Sequence, residues 1–308
     1  MLLDAASVWS KAWPILFAIL FFGVIILIHE LGHFTVAKLS GIKVNEFAIG
    51  MGPKLLSFGK GETKYSLRLI PMGGYVQMEG EDEASEDERA FNQKPVWKRF
   101  LVVIAGAVMN IILGLVLVAI LLTQQNLIGT TQIAGFHENA SSQSSGLQEG
   151  DVITHINGTS VWSDRDISFL MARDRDGVID FTVKRDGQKT ELKNVKFDTR
   201  EVDGQTVITF DFIIIGENKT FWNVLKTSFL ETASMARLVW LSLFDLVTGR
   251  FGLSDLAGPV GTVSVIAEAT TSGGFLNALS LMAFITINIG VFNLLPIPGL
   301  DGGRLFFL

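Results

Sequence analysis

The chain has no cysteine. That absence excludes disulfides, thiolate nucleophiles and thiolate metal ligands together, and leaves the redox compartment open. Histidine is scarce, with four in 308 residues. Basic charge is in deficit: 25 Lys and Arg against 31 Asp and Glu give a net charge of −6, which argues against a nucleic-acid partner. Charged residues make up only 18% of the chain and hydrophobic ones 48%, with a mean hydropathy of +0.40. Such a composition is too apolar for an ordinary soluble protein and belongs to the membrane class.

Three stretches, 13–39, 100–123 and 275–295, are long and apolar enough to cross a bilayer as helices. The first is too long for the core of a signal peptide and no small-x-small cleavage site follows it, so it is read as a retained span. Nine Lys and Arg lie between residues 40 and 99, whereas 124–144 has none. The excess of positive charge predicts that 40–99 is cytoplasmic and that the polar region after the second span is extracytoplasmic. The acidic tract 79–88 (EGEDEASEDE) reads as a solvated loop.

Sixteen uncharged residues, 13–28, precede His29-Glu30-Leu31-Gly32-His33. Ionisable groups at such a depth are costly and mark a functional site by default. Residues i and i+4 share a helix face, so His29 and His33 can turn two imidazoles toward one zinc ion, with Glu30 beside them to take a proton from a bound water. In a soluble helix the same pattern could be a surface pair. Here the flanks are Ile, Leu, Phe and Val, and two of only four histidines fall inside the motif.

A catalytic zinc takes three protein ligands and keeps a position for water. The other histidines, His137 and His155, lie in the region expected outside and read as surface or turn residues. The third ligand is therefore expected to be a carboxylate near the cytoplasmic end of another span, and Asp301 fits. Pro296 and Pro298 end the third helix before it. Gly299, Gly302 and Gly303 let the backbone turn Asp301 inward. Without the histidine motif, Asp301 would read as a helix cap.

Residues 65–78 (YSLRLIPMGGYVQM) read as a hairpin with its turn at Pro71–Gly74. It either packs passively against the spans or offers an edge strand to an extended substrate. Short alternating strands are expected at 131–136, 151–156, 179–184 and 191–197, with a helix at 164–172. The string from Gly146 to Gly158 (GLQEGDVITHING) resembles the core of a PDZ domain, which binds an extended segment by strand addition or screens substrates by size. Asn157-Gly158 reads as a turn. Residues 221–248 carry apolar side chains at helical spacing interrupted by Lys226, Glu231 and Arg237, which reads as an amphipathic helix on the outer membrane surface or against the PDZ-like region, or else as a fourth span, a reading that Glu231, Arg237 and Asp245 weaken.

Taken together, HELGH at 29–33, PMGGYV at 71–76, the PDZ-like core, GPVG at 258–261 and N-x-x-P-x-x-x-LDG at 293–302 resemble the site-2 protease family of intramembrane zinc metalloproteases, in the bacterial branch with a single PDZ domain. The resemblance covers almost the whole chain. It implies a multi-pass α-helical protein of the bacterial cytoplasmic membrane, with a cytoplasmic-side β-hairpin and an inserted extracytoplasmic α+β PDZ domain. One Zn2+ per chain would be held by His29, His33 and Asp301, with Glu30 as general base. Asn288, Asn293, Pro296 and Pro298 match positions thought to handle substrate; Asn110 matches the family's asparagine in the second span and is equally a substrate contact or a helix–helix hydrogen bond; Gly73 and Gly74 belong to the hairpin expected to clamp substrate. The substrates implied are single-pass regulatory membrane proteins such as anti-sigma factors, often already trimmed by a site-1-type protease.

The expected division is a first span with HExxH (1–39), a cytoplasmic β segment (40–99), a second span (100–123), the PDZ domain (124–216), amphipathic connecting helices (217–274) and a third span with LDG (275–308). Arg304 onward would begin a further span. Two rival readings remain: a membrane-anchored PDZ adaptor with an inactive protease core, and a metal-ion transporter.

Overall fold

A computed structural model of the chain describes residues 5–202, 205–249 and 274–308; GPVG at 258–261 lies outside the described residues. Among the described residues three helices are long and apolar enough to span a membrane: α1 (Ala5–Leu39), through its 16–39 stretch, α2 (Val96–Gln124) and a later helix, Gly274–Asn293. Each runs a few residues beyond, or stops just short of, the predicted span. The chain divides into two compact units, residues 1–118 with 235–308, and residues 119–234.

In the first unit, Ala18, Phe21 and Ile25 of α1 pack with Leu113 of α2 and with Leu281, Met282, Ile285 and Ile289 of the later helix. Close approach depends on small residues. A Cβ at Gly32 would meet the Ala105 carbonyl at 2.5 Å, and one at Gly290 would meet the Ala107 carbonyl at 2.9 Å. The outward faces keep exposed apolar side chains, among them Leu20, Ile112, Val116 and Phe284, as expected of helices solvated by lipid.

Between α1 and α2 lie β1 (Val44–Phe58) and β2 (Lys64–Met78), an antiparallel pair. The hairpin turn falls at residues 59–63, not at Pro71–Gly74 as the sequence predicted. Phe47, Ala48 and Ile49 are each paired twice, with Val76, Tyr75 and Gly74 on one side and with Tyr65, Ser66 and Leu67 on the other. The first half of β1 thus lies between the two halves of β2. Residues 65–78 do not close on themselves because β1 occupies the place where their partner would be. Gly50 (φ 85°) and Gly73 (φ 84°) take the left-handed backbone needed where the register breaks. Ile42, Val44, Phe47, Val76 and Met78 bury one side of this sheet with Ala37 of α1 and Val102 and Val103 of α2. The acidic tract is only partly solvated: Glu79 accepts hydrogen bonds from Asn45 (3.0 Å) and Ser85 (2.8 Å) and pairs with Lys43.

The second unit contains β3 (Ile128–Phe136), α3 (Ser141–Ser144), β4 (Val152–Ile156), β5 (Thr159–Ser160), α4 (Asp164–Ala172), β6 (Val178–Arg185), β7 (Gln188–Lys196), β8 (Thr199–Val202), β9 (Gln205–Ile208) and β10 (Phe212–Glu217). The main sheet has the order β10-β3-β4-β6-β7, with β5 paired to β4. Strands β3, β4, β6 and β7 and helix α4 follow the expected pattern to within a few residues. Strands β8–β10 were not foreseen; Phe212–Glu217 (FIIIGE) lacks the alternation that marks a half-buried strand. Leu147, Ile153, Ile156, Ile179 and Phe181 form the core beside Ile167, Leu170 and Met171 of α4. Asp151, fully buried, is held by two 2.8 Å hydrogen bonds from Arg185.

Helix α5 (Phe221–Val247) forms over the expected amphipathic stretch and is not among the three apolar helices. Glu231 on it is buried and lies 3.4 Å from Arg165. Helix α6 (Gly274–Asn293) is followed by the short α7 (Asp301–Arg304).

Candidate metal centre

His29 and His33 sit one turn apart on α1, which carries no Asp, Glu, Lys or Arg between Lys11 and Glu30. Their rings meet edge to face with centroids 4.8 Å apart, and their Nε2 atoms are 3.2 Å from each other. Asp301 reaches the same point from the first residue of α7. Its Oδ2 is 3.1 Å from His29 Nε2 and 3.3 Å from His33 Nε2. The turn before it depends on Gly299 (φ 93°). Gly302 and Gly303 serve differently from expectation: they do not bend the chain but let α7 lie against the carbonyls of Leu295 and Ile297, where a Cβ would collide.

Three observations test whether a metal ion suits this cluster. First, the ligand atoms form a nearly equilateral triangle with sides of 3.1–3.3 Å. Two ligands bound at about 2.0–2.1 Å to one tetrahedral zinc stand about 3.3 Å apart. Second, Asp301 Oδ2 is buried and makes no hydrogen bond of good geometry. Third, the wall facing the two Nε2 atoms is Gly106 of α2; a Cβ there would press on His33 Nε2 and lie 2.7 Å from His29 Nε2. The donor set of two imidazoles and a carboxylate is that of a catalytic zinc with an open position.

Helix α2 supports this cluster. His33 Nδ1–H donates to the Val102 carbonyl at 2.8 Å, which fixes its tautomer and leaves the Nε2 lone pair free. Asn110, fully buried, lies 3.2 Å from His29 Nδ1. The cluster opens on a cavity of about 600 Å³, lined by His29, Glu30, His33 and Asp301, by residues 74–78 of β2, and by Glu81 and Arg304. Glu81 and Arg304 form an ion pair across it. Burial pushes the Glu81 carboxyl above its usual range, although Arg304 opposes this. In the hairpin, burial alone would raise the Glu46 pKa, but hydrogen bonds from Ser66, Lys54, Arg68 and Tyr75 hold it down at about 2.

The other predicted site residues divide. Gly74 lines the cavity, and a Cβ on it would come 3.0 Å from Glu30 Cγ. Gly73 is one residue outside, against the Met51 side chain. Asn288 donates to the Phe284 carbonyl of its own helix at 2.9 Å. Asn293, Pro296 and Pro298 do not line the cavity. Val102, Gly106, Glu81 and Arg304 were not foreseen. A small-residue run, Ala105-Gly106-Ala107, was the one available signal for the close approach at Gly106.

Two imidazoles and a carboxylate converging at the end of an apolar helix, with a glutamate in the same cavity, are the arrangement expected of zinc metallopeptidases that work within membranes. The model of peptidase family M50 matches residues 17–308, and the chain belongs to that family. The chain is 42% identical over 293 residues to a Clostridium acetobutylicum protein with a provisional zinc metalloprotease name, covering 95% of this chain and 85% of that protein. It is 30% identical over 372 residues to the regulator of sigma-W protease RasP of Bacillus subtilis. The zinc metalloprotease RasP of Bacillus licheniformis is 31% identical over 380 residues. Each of these two alignments covers 94% of this chain and 88% of the relative. The chain is thus a zinc metalloprotease of the site-2 type, with Zn2+ as its cofactor and membrane proteins as its substrates.

Proposed function

We propose that His29, His33 and Asp301 hold the zinc ion and that Glu30 is the general base, and that the chain cuts peptide bonds within or beside the membrane span of single-pass regulatory proteins. The observation that carries this reading is the convergence of the two Nε2 atoms and Asp301 Oδ2 to within 4.8 Å of one another, in the cavity that Glu30 also lines. A zinc ion held by these side chains would polarise the scissile carbonyl and would lower the pKa of a bound water toward neutral. Glu30 takes the proton of the attacking water and delivers it to the leaving amine. A substrate helix hides its carbonyls in hydrogen bonds and must unwind to be cut. Residues 74–78 line the cavity and, among the described residues, pair only with the first half of β1. Their free edge suits an unwound strand.

Anti-sigma factors are the proposed substrates, on the strength of the Bacillus subtilis relative's name. The lysine and arginine excess in 40–99 supports a cytoplasmic active site in a bacterial cytoplasmic membrane. In this reading 124–216 is an extracytoplasmic PDZ domain that recognises or filters products of a site-1-type protease; its five-stranded path flanked by α4 supports that assignment. The six-part division of the chain set out above is kept on the same grounds.

The deciding experiment compares wild type with Glu30→Gln on a single-span substrate in detergent. The variant is expected to keep its zinc and to lose at least about 10²-fold in cleavage rate. Equal cleavage by both would remove Glu30 from its role. Zinc bound with no cleavage by either would favour the adaptor reading.

A further inference from the structure

Val102, Gly106 and Asn110 stand at i, i+4 and i+8 on α2 and so form one stripe along its face. Each meets the imidazole pair. The Val102 carbonyl accepts from His33 Nδ1, Gly106 makes room for both Nε2 atoms, and the Asn110 amide reaches His29 Nδ1. Asn110 is fully buried and does not line the cavity. This argues against the substrate contact that the family resemblance implied for it.

The polarity of the Asn110 contact is informative. A neutral imidazole that binds a metal through Nε2 carries its proton on Nδ1 and so needs an acceptor there. In the structure the amide nitrogen, itself a donor, faces His29 Nδ1, while the Asn110 Oδ1 is buried with no partner. The two ends of an amide have nearly the same size and shape. Turning it over places Oδ1 where it accepts the His29 proton, and removes the donor–donor encounter.

We infer that Asn110 is a positioning residue of the metal centre: its side-chain carbonyl accepts the Nδ1 proton of His29 and holds that ring in the ligating tautomer. This rests on the reading of His29 as a ligand. The stripe on α2 then completes the pattern for both rings, one held by a backbone carbonyl and the other by an amide.

The test measures metal affinity rather than activity. Zinc is removed from the full chain in detergent and titrated back against a chelator of known affinity. Wild type, Asn110→Leu, Asn110→Asp and His29→Ala are compared, with helix content recorded for each. Loss of an outer hydrogen bond to a ligating histidine lowers metal affinity by about 10- to 100-fold. That loss is expected for Asn110→Leu, whereas Asn110→Asp, which keeps an acceptor, is expected to bind within a few-fold of wild type. Should leucine prevent folding, Asn110→Ser is too short to reach His29 and gives the same comparison. Wild-type zinc affinity in Asn110→Leu with a raised KM would overturn the inference and return Asn110 to the substrate. Equal loss in the Leu and Asp variants would overturn it too, as a packing effect. An undiminished affinity in His29→Ala would instead bring down the metal-site reading itself.

Discussion

An added methyl group at Gly106 would stand against Nε2 of both His29 and His33. Alanine favours a helix over glycine by about 1 kcal/mol, so Gly106→Ala should leave α2 helical. It is nevertheless expected to abolish zinc binding, read as metal content per chain beside an unchanged circular dichroism spectrum. Retention of zinc by that variant would show that the ion sits elsewhere. At this scale much of the centre was legible in the sequence. Two histidines at i and i+4 can only share a face, and an apolar setting made them conspicuous. Asp301 could be found because cysteine and further histidines were missing as competitors. The contribution of α2 was not legible. A backbone carbonyl leaves no mark in the sequence, and Asn110 in a span is equally consistent with a helix–helix hydrogen bond and a substrate contact. Which side of the helix it faces is decided by packing.

The hairpin shows where local signals mislead. Pro71, Gly73 and Gly74 read as a turn, yet the strand pairing there is settled by β1, which lies well upstream in the chain. Glu46 pins this sheet together, since it is 7% exposed and lies 3.0 Å from Lys54 and 3.1 Å from Arg68. A carboxyl whose pKa falls on folding adds stability above its unfolded value and loses it as the pH drops toward the folded one. The fall from 4.5 to about 2 corresponds to about 3 kcal/mol. Amide protection in β1 and β2, followed by hydrogen exchange, should therefore decline in wild type between about pH 4.5 and 2. In Glu46→Gln it should start lower and stay flat across that window. A parallel decline in both proteins would assign the acid sensitivity to another group. For the same sheet, Gly74→Val would drive its side chain toward Glu30 and the Ala48 carbonyl. It is expected to reduce cleavage with zinc still bound; equal loss of zinc and cleavage would count against a role in holding substrate.

For the molecule as a whole, the proposed catalytic residues all lie in the unit formed by residues 1–118 and 235–308. Replacing 128–217 with a short flexible linker should then leave zinc stoichiometry near one, and, if the proposed filtering role holds, substrates that wild type cuts only after trimming should be cut untrimmed. Continued refusal of them would remove filtering from the role of that unit. The three membrane-length helices among the described residues were plain from apolar run lengths, and the positions of β3, β4, β6 and β7 followed from alternation.

The proposed ligands come from distant points of the chain, Asp301 lying 268 positions after His33. At about 5–20 residues per second, the ribosome needs roughly 15 to 50 s to travel from one to the other. Throughout that interval the growing chain carries an imidazole pair without its carboxylate. On that ligand set, zinc could be held in full only after α6 and Asp301 have been made, so the order of synthesis itself would keep the nascent enzyme silent among the membrane proteins being inserted beside it.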